Sequence, residues 1–512
     1  MSYRILYYNW VPYFEEPIRG GGVSVYCRNL IDYLTKQDSY QVTFLYSGLD
    51  YSYFRKDCYV RQINNTRHPQ VETFSIINSP TVAPSHFAFH NPSENVAHPA
   101  LESCFHQFLI EHGPFQIIHF QNLEGLNAKC FKIAKESGAR VIFSLHNYWA
   151  MCPQVNLWKL ESSSCSDYLE GRACVSCLPG DPTVNLDLHY RKLSHLGSFF
   201  NLHEQALLLK VVRKLFAKFY HYFWKPLKIS AQSPLKNSQE FIGTEMPQQA
   251  QLYRQRREEI ISLINSYVNV AVSVSERTAS IYRQYGVEPE RLIVQYIGTQ
   301  AHQFRVPISN PADYSPGKPF RLIYMGPSRP DKGFYFLLQA LRSLPLEELR
   351  LLDLTIAGKI TDEAELEMSV EQRGKLLSLA QSLHRLRYYA GYAYNNIPDM
   401  LDGIHLGVVP PLWEDNLPQV TFELLACKVP VLCSNRGGAQ EFVRHPAFIF
   451  DPSKEGDFQD KIRTIQKQPH LLKEFWEKAR PVISLEKHFQ DLVNTYEVPS
   501  FAWEYSQAGS NL

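Results

Sequence analysis

One pattern constrains this chain more than any other: a short, unbroken apolar stretch followed by an amphipathic segment of helical length, in a series that runs twice. The first series opens with "YRILYYNW", "GGVSVYCRNLIDYLTKQ" and "QVTFLYSG". It continues through "FQIIHFQN", "GLNAKCFKIAKESG" and "ARVIFSLHNYW" to "VNVAVSVSE" and "RTASIYRQYG". Strands continuous in Val and Ile are covered on both faces, and their alternation with helices predicts a parallel, doubly wound α/β sheet.

The second series begins with "FRLIYMGPSRPDKGFYFLLQALRSL", and "LDLTIAG", "LRYYAG", "IHLGVVP", "VPVLCSN" and "AFIF" supply its further strands. Between the two lies "GTQAHQFRVPISNPADYSPGKP", rich in Pro, Ser and Asn and without periodicity. Two Rossmann-like domains are therefore expected, residues 1–298 and 299–484, facing a central cleft at the carboxyl ends of their strands. The segment 485–512 is expected to be a helix that crosses back onto the first domain.

With 512 residues, 45% hydrophobic and 20% charged, and a formal net charge of +1, the composition suits a soluble protein of two or three domains and makes no case for a nucleic-acid partner. No apolar run approaches the roughly 18 to 20 residues that cross a bilayer. The chain opens directly on a strand rather than on a signal segment, so a cytoplasmic location is expected. Residues 185–262 interrupt the alternation as a helical insertion in the first domain. Within it, 189–228 hold Arg191, Lys192, Lys210, Arg213, Lys214, Lys218, Lys225 and Lys228 against the single acid Glu204, with aromatic residues interleaved. Two readings stand: a basic amphipathic face that binds an anionic surface, placing the protein peripherally on the inner face of a membrane, or a helical cover with solvated lysines.

Two strand-loop-helix units in the second domain carry candidate chemistry. After the strand that ends at Gly326, "PSRPDKG" leads into a helix; free backbone N–H groups and the helix dipole there favour an anion, and Arg329 and Lys332 add positive charge. The stretch "PPLWEDNLPQVTFELLACKVPVLCSNRGGAQEF" mixes prolines, acids, an apolar run and a glycine pair. Pro418 suits the first turn of a helix, Asp415 lies just before it, and Glu423 sits among Phe422, Leu424 and Leu425, where a carboxylate needs a partner.

These residues carry a resemblance. "EDNLPQVTFELLACKVPVLCSNRGGAQE" resembles the acidic signature of glycosyltransferase family 4, in which two acids separated by seven residues precede a small-residue helix and a glycine-glycine-x-x-acid turn. "RGGGVSVYCRNL", "PFQIIHF", "SLHNYWAMCP", "VSVSE", "VQYIGT", "MGPSRPDKG" and "TIAGK" are similar to neighbouring family pieces in the same order. The resemblance implies a GT-B fold and a retaining transferase that moves a sugar from a nucleotide diphosphate donor to a glycan or lipid-linked acceptor. It implies that Glu423 binds the donor ribose, Asp415 the sugar hydroxyls and Lys332 the diphosphate. Gly21 and Gly22 would approach the diphosphate, and His146 would face the sugar from the opposite wall. It extends the donor site to Gly326, Arg329, Glu414, Asn416 and Leu417, and it implies no cofactor for the transfer itself.

The chain departs from the family pattern at three places. Asp415 stands where glutamate is usual, with Glu414 beside it as a competitor; Pro327 stands where an arginine is usual, with Arg329 two residues on; and Asn147 replaces an aspartate. These departures motivate an alternative, a catalytically weak GT-B subunit that binds glycans or serves as a scaffold. A dinucleotide-dependent oxidoreductase is disfavoured because the first loop lacks a clear GxGxxG. Finally, Cys152, Cys165, Cys174 and Cys177 cluster in the polar loop 151–180. A CxxC pair with two further thiols suffices for a tetrahedral structural zinc, and four free thiols are the other reading.

Overall fold

The computed structural model describes residues 3–15, 20–160, 162–178, 184–199, 248–358 and 370–497. The described residues form two large sheets. The first has eight strands in the order Leu292–Val294, Val270–Ser273, Arg140–Leu145, Ile117–Phe120, Tyr3–Tyr8, Tyr40–Ser47, Glu72–Ile77 and Tyr59–Ile63, of which only the last pairs antiparallel. Its central strand pairs Ile5 with Val42 on one side and with Ile117 on the other. The second has six parallel strands in the order Arg385–Ala390, Leu352–Gly358, Phe320–Met325, Leu406–Val409, Val431–Ser434 and Ile449–Phe450.

In both sheets strand order reverses across the middle, so neighbouring loops diverge there and leave a crevice at the carboxyl edge. Strands such as "LGVV" and "VLCS" are buried along their whole length, as the unbroken apolar runs require. One continuous core, from Ile5 and Leu30 through Leu354 to Phe489, spans both halves.

The chain passes between halves twice, and the two passages touch: Thr299 bridges Ser484, and the Thr299 N–H donates to Ile483 O at 3.0 Å. The helix Leu485–Glu497 then lies on the first half, where the Tyr496 hydroxyl meets Tyr7 at 2.6 Å and His119 Nδ1 at 2.7 Å.

The insertion differs from its expected form. It opens with the helix Val184–Phe199, but its last part, Gln248–Tyr267, is no excursion. That helix buries Ile260 and Ile264 in the core of the first half and feeds the strand Val270–Ser273, so it is a regular crossover helix of the sheet. Of the basic stretch, residues 200–228 lie outside the described residues. Arg191 turns inward, its Nη1 donating to Gly48 O and Ala83 O, and Lys192 Nζ lies 5.6 Å from the centre of the exposed Tyr53 ring. No described helix is long and apolar enough to cross a membrane.

Candidate functional site

A cavity of about 500 Å³ opens between the halves at the carboxyl edges of both sheets. The second half supplies two loops and a helix. Gly326 and Lys332 come from the loop after Phe320–Met325, Trp413, Asp415, Asn416 and Leu417 from the loop after Leu406–Val409, and Glu423 from the helix Gln419–Ala426. The first half supplies Gly22 and Tyr26 from the helix Gly21–Leu34, and His146 from the end of the strand Arg140–Leu145.

Two glycines let these loops close on one another. Gly333 has φ +75°, and a Cβ there would stand 1.7 Å from Pro410 O, so the turn after Lys332 packs directly on the chain entering the acidic loop. Gly437 has φ +72°, and a Cβ there would stand 1.9 Å from Asp415 O. The glycine pair is thus the backrest of the acidic loop.

Adjacent carboxylates have opposite fates. Asp415 is buried, lines the cavity and pairs with Lys332 Nζ at 2.6 Å. Lys332 also stands 5.0 Å from the centre of the Trp413 ring. Glu414 is turned away: its oxygens accept from Arg277 Nη2 at 2.7 Å and Nε at 2.8 Å, and from the Gly437 N–H at 2.9 Å. Glu414 thus ties the acidic loop to the first half.

Glu441, the acid of the glycine turn, acts beside it. Its carboxylate accepts from the N–H groups of Glu276 and Arg277 at 2.9 and 2.7 Å, at the N-terminus of the helix Glu276–Gln284, where the dipole favours an anion. Tyr296 donates to the same carboxylate at 2.8 Å. Ser275 Oγ donates to Asn416 O at 2.8 Å, and Asn416 Nδ2 donates to Thr278 at 3.2 Å, which completes a seam between the halves.

Glu423 is 9% exposed, and among the described residues its Oε2 has no hydrogen-bond partner. Burial pushes its carboxyl up to about 7, against the opposing hydrogen bond from Tyr392. An unsatisfied buried acid facing a cavity is suited to accept hydroxyl groups from a ligand.

The other wall is neutral. His146 Nε2 donates to Gln121 Oε1 at 2.9 Å, which leaves Nδ1 as acceptor, and the Tyr26 ring lies 4.9 Å away. Burial, aided by the nearby His488, pushes His146 down to about 3. Tyr26 in turn meets His488 Nε2 at 2.8 Å, so the returning C-terminal helix supports this wall.

Of the residues singled out in the sequence, the cavity brings together Gly22, His146, Gly326, Lys332, Asp415, Asn416, Leu417 and Glu423. It does not bring in Gly21, Arg329 or Glu414. Gly21 occupies the exposed first position of its helix, and Arg329 forms a two-pronged pair with Asp331 of its own loop, at 2.9 and 3.0 Å. Sequence reasoning missed Tyr26, Tyr392, Trp413 and Gln419. The run "YYAGYAYNN" after a strand and the Trp beside the acids were the available signals.

Among the described residues no three His, Cys, Asp or Glu side chains stand where they could hold a metal ion. Cys152 packs into the core of the first half, while Cys174 and Cys177 join a small apolar cluster with Phe89 and Tyr253. Cys165 lies half-buried with its thiol directed to Asp167 O. None of the four forms a disulfide.

Residues 310–482 match the family model described as Glycosyl transferases group 1. No curated protein matches the chain by sequence. Similar solved structures include a sucrose-phosphate synthase from Thermosynechococcus elongatus (15% identity, TM-score 0.55, covering 97% of this chain and 98% of that one). HepE from Anabaena, in complex with UDP, aligns at 13% identity with TM-score 0.53, over 97% of this chain and 99% of that one. An α,α-trehalose 6-phosphate synthase from Burkholderia multivorans aligns at 11% identity with TM-score 0.55, over 97% and 98%. The architecture is thus an α/β GT-B fold along nearly the whole chain.

Proposed function

We propose that the protein is a retaining glycosyltransferase of the family 4 type, moving a sugar from a nucleoside diphosphate sugar to a glycan or lipid-linked acceptor in the cytoplasm. One observation carries the reading: a cavity between two Rossmann-like halves sets Lys332, Asp415 and the unsatisfied Glu423 opposite Gly22 and His146. The match of residues 310–482 to glycosyl transferases supports the donor side, as does the UDP held by the structurally similar HepE.

Donor recognition divides among two loops and a helix. Glu423 accepts the ribose hydroxyls, Lys332 and the backbone N–H groups after Gly326 hold the diphosphate, and Asp415 accepts hydroxyls of the sugar. The diphosphate draws Lys332 from its pair with Asp415, which frees that carboxylate for the sugar. The acceptor hydroxyl then attacks C1 as the C1–O bond to the diphosphate breaks. The leaving oxygen takes the acceptor proton on the same face, so configuration is retained. Charge stabilisation by Lys332 supplies the main rate term. His146 Nδ1 accepts a sugar hydroxyl and positions C1.

The pairing of Arg329 with Asp331 favours a second reading, a glycan-binding subunit with little turnover, because it leaves one fewer cation for the diphosphate. A donor panel with acceptor extracts decides between them. Nucleotide release with a product heavier by one sugar is expected; tight nucleotide-sugar binding without release in any extract would establish the second reading. Sedimentation with anionic vesicles tests the membrane reading of 189–228: co-sedimentation that salt abolishes is expected, and its absence removes that reading.

A further inference from the structure

We propose that the first half carries a second saccharide site, specific for an acidic sugar unit, in the cavity between the helix Gln248–Tyr267 and the end of the helix Glu276–Gln284. This rests on the reading above that the acceptor is a glycan.

The cavity measures about 610 Å³, within the range of sugar-sized ligand sites. At its base lies Arg257, only 5% exposed. Nε and Nη2 of Arg257 both donate to Met151 O, at 3.0 and 2.9 Å, whereas Nη1 has no hydrogen-bond partner among the described residues. The carboxylates nearby are otherwise engaged: Glu258 pairs with Arg254 at 2.8 Å and Glu288 with Arg291 at 3.4 Å. Arg257 is therefore a buried guanidinium without a counter-charge, a costly arrangement that a bound anion would relieve. Its fork fits a carboxylate in two-pronged geometry.

The walls suit the rest of a sugar. Tyr168 and Tyr285 lie against the guanidinium, 3.4 and 4.6 Å from its carbon, and present ring surface to the cavity. Ser262 and Gln284 add a hydroxyl and an amide that both donate and accept, while the Asn265 amide is held by Gly286 O and the Glu288 N–H. Because Tyr168 closes over the guanidinium, an incoming carboxylate displaces that ring.

Placement ties this cavity to the cleft. The helix Glu276–Gln284 starts at the seam with Glu441 and ends with Gln284 and Tyr285 at the second cavity. At 1.5 Å per residue its two ends are roughly 14 Å apart, a length that a short oligosaccharide spans. An acceptor chain with its end in the cleft would thus be gripped at an acidic unit further along.

The test is calorimetric titration of an oligogalacturonate and a neutral cello-oligosaccharide of equal length into the full chain. The comparison proteins are Arg257→Gln and Ser262→Trp, the second filling the cavity from an exposed position in case the first does not fold. The acidic oligosaccharide is expected to bind the unaltered protein and to bind Ser262→Trp at least tenfold more weakly, with nucleotide affinity unchanged. Absence of binding to the unaltered protein, equal binding of the neutral sugar, or full binding to Ser262→Trp would each overturn the proposal. Absence of nucleoside diphosphate binding by the unaltered protein would instead overturn the transferase reading.

Discussion

The two walls of the cleft solve different problems with different chemistry. The wall from the second half is ionic: Lys332 and Asp415 come from short loops that glycines press together, and Glu423 from the helix that follows. The wall from the first half is neutral: His146, Tyr26 and His488 form a buried chain of rings and hydroxyls, braced by a helix from the end of the sequence. An ionic wall rearranges when a charged ligand arrives, whereas a neutral one keeps its shape. On the proposed reading, donor binding falls to one side and sugar positioning to the other.

The largest test of that contrast is Lys332→Met. Turnover should fall about 10²- to 10³-fold, the usual effect of removing one group that stabilises leaving-group charge. His146→Ala should cost about tenfold in turnover with nucleotide affinity unchanged, measured by single-turnover kinetics beside equilibrium binding. Comparable losses of nucleotide affinity in both variants would erase the distinction between the walls.

Proton linkage gives the third test. Glu423 titrates at about 7, above the ordinary carboxyl range, so its contribution to stability is full below pH 4.5 and is lost as pH rises to 7. Ligand hydroxyls bind the ionised form, so nucleotide affinity should rise by up to tenfold per unit from about pH 5 and level off above 7. The neutral wall runs the other way. His146 at about 3 and His488 at about 4 lie below the ordinary histidine range, so the stability they confer is full above 6.5 and lost as pH falls towards those values. Thermal midpoints across pH, in the parent and in Glu423→Gln, separate the two trends.

The smallest effect is expected at the seam. Arg277 is 40% exposed, so Glu414→Gln should cost about 1 kcal/mol, read as a shift in the denaturant midpoint, with turnover on saturating donor little changed.

How much of this was legible follows from how local each signal is. The parallel sheets were readable because a buried parallel strand writes itself as an unbroken apolar run, while the partly exposed Tyr59–Ile63 and the three-residue Leu292–Val294 left no such mark. Lys332 and Glu423 were readable because a loop before a helix and an acid among leucines are local facts. The choice between Glu414 and Asp415 was not, since it is made by Arg277, which lies in the other half and 137 residues away in sequence. The pairing of Arg329 with Asp331 was equally illegible, because it depends on how the loop folds back on itself.

The central claim is that the ionic wall holds a nucleoside diphosphate through Lys332 and Glu423. Its most direct measurement is calorimetric titration of UDP at pH 8 into the parent, Lys332→Met, Glu423→Ala and His146→Ala. The account predicts one site in the parent and in His146→Ala with equal affinity, at least tenfold weaker binding in Lys332→Met, and none detectable in Glu423→Ala. Equal affinity in all four proteins would contradict it.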